Sequence, residues 1–99
     1  MKLLVFAVYD KAVSAFMQPF FARSKGEAVR SFTEACNDEK HNFHKHASDY
    51  SLMFMGEFDD NSGLYSTADP TRIIGAYECL VDDVFPPEAE VKGPKRLPM

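Results

Sequence analysis

Apolar residues run almost without a break from Lys2 to Tyr9, and Asp10-Lys11-Ala12 then interrupts them. A continuous run of this length, rich in Val, Phe and Tyr, predicts a central strand buried on both faces. The polar break suits a hairpin turn. Val13 to Ala22 predicts a second strand carrying Phe16, Phe20 and Phe21. Pro19 has no N–H to give to a ladder, so this strand is expected to kink at Gln18-Pro19.

The period then changes. Ala28, Val29, Phe32, Ala35 and Cys36 recur along one face of a helix. Ser24 stands at the N-cap position with Glu27 three residues later, the pattern of a capping box. Asn37-Asp38 is expected to end the helix. Gly26 in its first turn costs up to about 1 kcal/mol relative to Ala, or allows another backbone or a ligand to approach closely. Glu39 to Asp49 is polar and predicts a loop with a short helical turn around Phe43.

Alternation returns from Tyr50 to Phe58, with Tyr50, Leu52, Phe54 and Gly56 on one face and Ser51, Met53, Met55 and Glu57 on the other. Asp59 to Gly63 predicts a turn in which Gly63 takes positive φ, and Leu64 to Thr67 returns as a short strand. Asp69-Pro70-Thr71 predicts another turn. Arg72 to Val81, with Ile73, Ile74, Ala76, Tyr77 and Leu80, predicts a last strand that holds Cys79. Beyond Asp82 the chain turns Pro-rich (Pro86, Pro87, Pro94, Pro98) and predicts an extended tail over residues 82–99.

The expected fold class is therefore α+β: a single domain over residues 1–81, with a mainly antiparallel sheet of four to five strands and one amphipathic helix, in the order β-β-α-β-β-β. The helix covers one face of the sheet. The other is left for a ligand, a partner or a second copy.

Composition sharpens this only in part. Ninety-nine residues, 45% of them apolar, are enough for one modest core. The formal charge is −4, which argues against strong nonspecific nucleic-acid binding, because that rests on Lys and Arg neutralising phosphates. The charge is uneven, however. Arg23, Lys25, Arg30, Lys40 and Lys45 fall in one stretch with His41, His44 and His46, whereas Asp49 to Glu90 holds ten acids and one arginine. A local positive face is compatible with an acidic total. The two cysteines, Cys36 and Cys79, make no disulfide framework and read as free thiols in a reducing compartment. No apolar run approaches the length of a membrane span.

Several clusters invite a chemical reading. His41, His44 and His46 have the ligand type of a zinc site but lack cysteines at matching spacing; a solvated loop, or a phosphate contact with Lys40 and Lys45, fits better. Arg23-Ser24-Lys25-Gly26 opens a helix, where unpaired N–H groups attract phosphate, unless Ser24 and Glu27 already satisfy them. The glycine spacing is not that of a Walker loop. Outward aromatics on a sheet stack unpaired bases, and Tyr9, Phe20 and Tyr65 are the expected outward set. Asp59-Asp60-Asn61 reads as a turn, not a calcium loop. No nucleophile–base–acid arrangement is present, so no enzyme activity, metal or cofactor is expected.

Val8-Tyr9-Asp10, Pro19-Phe20-Phe21, the helix with Ala28, Arg30 and Phe32, Asn37-Asp38, Lys45-His46, Asp49-Tyr50, Gly56-Glu57-Phe58-Asp59 and the Gly63 turn follow one another in an order and spacing that carry a resemblance. From Met1 to about Leu80 the chain resembles the small nonstructural protein of gokushovirus-type microviruses, bacteriophages with single-stranded DNA genomes. The resemblance implies a protein of the host bacterial cytoplasm that binds DNA, single-stranded DNA foremost, during genome replication or the switch to packaging. Combined with the residues above, it points to Arg23, Lys25, Arg30, Lys40, Lys45 and His46 as phosphate contacts and to Tyr9 and Phe20 as base contacts. A homodimer or larger homo-oligomer is expected. The alternative is an interaction module that engages a phage or host replication protein without touching DNA.

Overall fold

The computed structural model describes residues 1–80. The chain is α+β. Its five-stranded antiparallel sheet consists of β1 (Lys2–Asp10), β2 (Ala15–Phe16), β3 (Phe20–Ala22), β4 (Tyr50–Asp59) and β5 (Leu64–Gly75). The helices are α1 (Lys25–Cys36), α2 (Asn42–Lys45) and α3 (Ala76–Cys79), with a 3-10 turn at Ala47–Asp49. β1 lies centrally, with β4 on one side and both β2 and β3 on the other, and β5 closes the far edge. Val5, Phe6, Ala7 and Val8 are buried in succession, as the apolar run requires of a strand covered on both faces.

The expected second strand is divided in two. Lys11 to Ser14 form a turn, with Ser14 at φ 55°, and the strand restarts only at Ala15. Pro19 cannot donate to β1, so pairing lapses over residues 17–19 apart from one bond, from the Met17 N–H to the Val8 carbonyl at 2.7 Å.

Helix α1 follows its sequence signals closely. Ser24 Oγ accepts from the Glu27 N–H at 3.1 Å, and Glu27 Oε1 reaches back to the Arg23 N–H at 2.7 Å. Ala28, Phe32 and Cys36, spaced four apart, are buried against the sheet. They join Phe6, Val8, Leu52, Phe43, Ala76 and Cys79 in one core. Asn37 ends the helix, and its Nδ2 donates to the carbonyls of Thr33 and Cys79, each at 2.9 Å.

The C-terminal third departs from expectation. Leu64 to Thr67 and the segment after Arg72 are not separate strands; Asp69-Pro70 does not turn the chain but is absorbed as a bulge within β5, between the Gly56–Thr67 and Phe54–Thr71 pairs. The last strand stops at Gly75 instead of running to Val81. Ala76 to Cys79 form a helical turn, so Cys79 is helical, because Glu78 Oε1 accepts from the Gly75 N–H at 2.7 Å and closes the turn. The expected tail from Asp82 onward lies outside the described residues.

One irregularity decides the faces of the sheet. Val5 pairs with Gly56 but Phe6 pairs with Phe54, so Met55 is an extra residue. Strict alternation from Tyr50 therefore fails beyond Phe54. Gly56 and Phe58 move to the face of Met53, and Glu57 moves to the face of Leu4 and Leu52. Gly56 takes φ 137°, and a Cβ there would collide with the Ser66 carbonyl oxygen.

Candidate nucleic-acid interface

Paired residues in a sheet share a face. Leu4, Phe6, Val8, Ala22 and Leu52 point toward the helices, so Leu3, Val5, Ala7 and Tyr9 and their partners Phe16, Phe21, Met53 and Phe58 point away. This second face carries two aromatic groups. At one end, Tyr9 and Phe16 lie with ring centroids 4.9 Å apart. At the other, a row runs across the sheet: Phe21 to Phe58 at 5.4 Å, and Phe58 to Tyr65 at 4.7 Å. Phe16 is 43% exposed, Phe21 48% and Tyr65 60%. A small domain does not spend large apolar rings on solvent without consequence.

Charge is partitioned between the faces. At paired strand positions the carboxylates of Asp10, Glu57 and Asp59 lie opposite Tyr50, Leu4 and Lys2, on the helix side. The open face holds Arg72, paired with Met53. Arg72 Nη2 donates to Glu78 Oε1, and the Gly75 N–H together with Arg72 holds the Glu78 carboxyl below its ordinary value. Asp69 sits in the unpaired stretch of β5. Among the described residues, the carboxylates at paired strand positions are thus turned away from this face.

The expected site residues do not come together. Tyr9 is on the open face, but Phe20 is on the helix side, stacked on Phe6 at 6.0 Å and packed against the core. Its neighbour Phe21 points outward in its place. Arg23 and Lys25 are exposed at the junction of β3 and α1, and Arg30 is exposed on α1. Lys40, Lys45 and His46 are exposed around α2, in the layer behind the sheet. At the start of α1, Glu27 takes the Arg23 N–H and Ser24 takes the Glu27 N–H, and the Glu27 carboxylate places a negative charge there that disfavours phosphate.

Two of the histidines have structural work. His41 caps α2, its Nδ1 accepting from the Phe43 N–H at 3.0 Å. The Nδ1 of His44 lies 3.0 Å from the Cys36 carbonyl, to which it donates. Among the described residues no group of His, Cys, Asp or Glu is arranged to hold a metal, and no helix is long and apolar enough to cross a membrane. Both cysteines are free and buried.

Residues 3–79 match the family described as Phage ORF5 protein. The chain belongs to this family. No curated protein and no solved structure matches it. The match runs from β1 through α3, so it takes in both aromatic groups of the open face. Phe16, Phe21 and Phe58 are the members that the expected outward set lacked, and Phe58 is the one whose face depends on the bulge. The available signal was Gly56, since a glycine within a strand marks a bulge or a close backbone approach.

Proposed function

We propose that this phage protein binds single-stranded DNA on the helix-free face of its sheet, without catalysing a reaction. The binding serves genome replication or the switch to packaging, in the host cytoplasm, in a phage of the gokushovirus-type microviruses. One observation carries the reading: exposed aromatic rings gather on a face from which the paired strand carboxylates are turned away. Rings of this kind stack unpaired bases, contributing about 1–3 kcal/mol per base, and a duplex hides its base faces from them. Fluorescence anisotropy with labelled single- and double-stranded DNA, at low and moderate salt, tests it. Salt-sensitive binding that prefers single strands and weakens in Phe21→Ala and Tyr65→Ala is expected. Equal binding by the variants would remove the site.

A second reading is self-association, or capture of a replication protein, at the far edge of the sheet. It draws on β5, twelve residues long and at the edge of the sheet among the described residues, because a strand edge is a template for another strand. Sedimentation of the purified protein distinguishes the two: a monomer that binds DNA excludes edge pairing as the activity.

A further inference from the structure

The open face carries not one patch but two, and an exposed cation follows each of them closely in the sequence. Tyr9 and Phe16 form the first, with Lys11 two residues beyond Tyr9. Phe21, Phe58 and Tyr65 form the second, with Arg23 two residues beyond Phe21. Lys11 and Arg23 are exposed, and among the described residues the ion pairs are those of the N-terminal amine with Asp59 and Asp60 and of Arg72 with Glu78. Among the described residues, neither Lys11 nor the Arg23 guanidinium is held in an ion pair. Glu27 takes the Arg23 backbone N–H, not its side chain.

The spacing follows from register. Phe16 pairs with Tyr9, and Phe21 pairs with Val5, four residues back along the same strand. At about 3.3 Å per residue the two patches stand about 13 Å apart along β1. A strand stacked as in B-form DNA advances about 3.4 Å per nucleotide, so the gap corresponds to about four stacked nucleotides, and fewer in an extended strand. We infer that the two patches are separate stacking stations for one DNA strand lying along β1, with Lys11 and Arg23 contacting its phosphates. This rests on the DNA reading above and deepens it. It assigns the phosphate contacts to the sheet side of the molecule, whereas Arg30, Lys40, Lys45 and His46 stand behind the sheet and contribute only long-range attraction. The occupant is a single strand and not a second copy, because exposed rings followed by an exposed cation match bases and their phosphates.

Oligothymidylates of increasing length, from about two to about ten nucleotides, test the arrangement by anisotropy at fixed low salt. Affinity should rise steeply as the oligomer becomes long enough to bridge the stations, and then level off. Phe16→Ala should weaken the longest oligomer about 5- to 150-fold, the range for losing one stacked base, and leave the shortest nearly unchanged on the three-ring station. The phenylalanine is half exposed and the fold should tolerate its loss, checked by thermal melting. Lys11→Gln, in a turn, gives the same length-selective loss with a shallower salt dependence. A smooth rise with length, or Phe16→Ala weakening short and long oligomers equally, overturns the two stations while leaving DNA binding intact. No binding at any length overturns the underlying reading and this inference with it. A change in sedimentation of Phe16→Ala without a change in DNA affinity overturns it in favour of contact between copies.

Discussion

Phe21 and Phe58 belong to strands that do not pair with each other, yet their rings meet 5.4 Å apart across β1. Their register partners on β1 are Val5 and Leu3, so the two rings roof the outer side of the central strand. This explains how Val5 is buried on a face that no helix of the described residues covers. Truncation of Phe58 removes the middle of the row and uncovers β1. Phe58→Ala should cost about 2 kcal/mol in urea unfolding, less than the roughly 3–5 kcal/mol of a fully buried phenylalanine such as Phe6. Phe21→Ala, at the exposed end, should cost less still and act mainly on DNA affinity. Equal destabilisation by both variants would mean that the row is core and not a binding surface.

Gly56 makes that row possible. Its φ of 137° is open to glycine and strained for other residues, and an added Cβ would strike the backbone of Ser66 on β5. Backbone cannot rotate aside as a flexible side chain can. Gly56→Ala should therefore destabilise by about 2–4 kcal/mol, combining strain and displacement of β5. Gly63, also at positive φ, has open space around its Cβ position, so Gly63→Ala should cost only about 1 kcal/mol. Chemical denaturation of both variants measures the difference; equal losses would show that the bulge has no steric requirement for glycine.

These positions also show what the sequence could reveal. Local signals were sufficient for β1, whose apolar run is buried on both faces, for α1 with its Ser24–Glu27 cap, and for the break at Pro19. The β4–β5 hairpin was legible from its alternation and acidic turn. Long-range contacts decided the rest. Arg72 to Val81 reads as one strand, but Glu78 folding back on Gly75, with Asn37 holding Cys79, turns Ala76 to Cys79 into a helical turn. The site was half legible for a related reason. Aromatic residues on strands were visible, but one extra residue at Met55 reassigns every side chain after it. The helix-layer cations were prominent in the sequence because they are contiguous there, and contiguity along the chain says nothing about which face they share.

Asn37 joins the end of α1 to α3 through two side-chain hydrogen bonds, to Thr33 and Cys79. The second spans 42 residues of sequence and fixes α3 against the core. Asn37→Ala leaves two partly buried carbonyls without this donor, which should cost about 1–3 kcal/mol. Asn37→Asp places a carboxylate against the same carbonyls and should be at least as harmful. Amide hydrogen exchange should localise the loss: protection should fall in α3 first and in β1 last. Uniform loss across the sheet would show that α3 is not held by this residue.

Cys36 gives the fold an alkaline limit. Burial, reinforced by the neighbouring Cys79, pushes its thiol up to about 12 from the ordinary 9.0. The folded state therefore favours the neutral thiol, and the unfolded chain gives up the proton more readily. A group raised in this way contributes its full stability below its unfolded value and loses it as pH climbs toward the folded one. The urea midpoint should be flat through neutral pH and decline from about pH 9 upward. Tyr50, raised by burial and by Asp10 and Asp49, acts in the same direction, so some slope persists without Cys36. Cys36→Ala should lower stability at neutral pH by about 1–2 kcal/mol through lost packing and should flatten the alkaline decline. The same burial makes the thiol slow to alkylate while the protein is folded, since the thiolate is the reactive form. An unchanged alkaline slope in Cys36→Ala would assign the decline to the other raised groups, Tyr50 and the N-terminal amine held by Asp60, and rapid alkylation of folded protein would show that the core around α1 and α3 opens far more often than its packing implies.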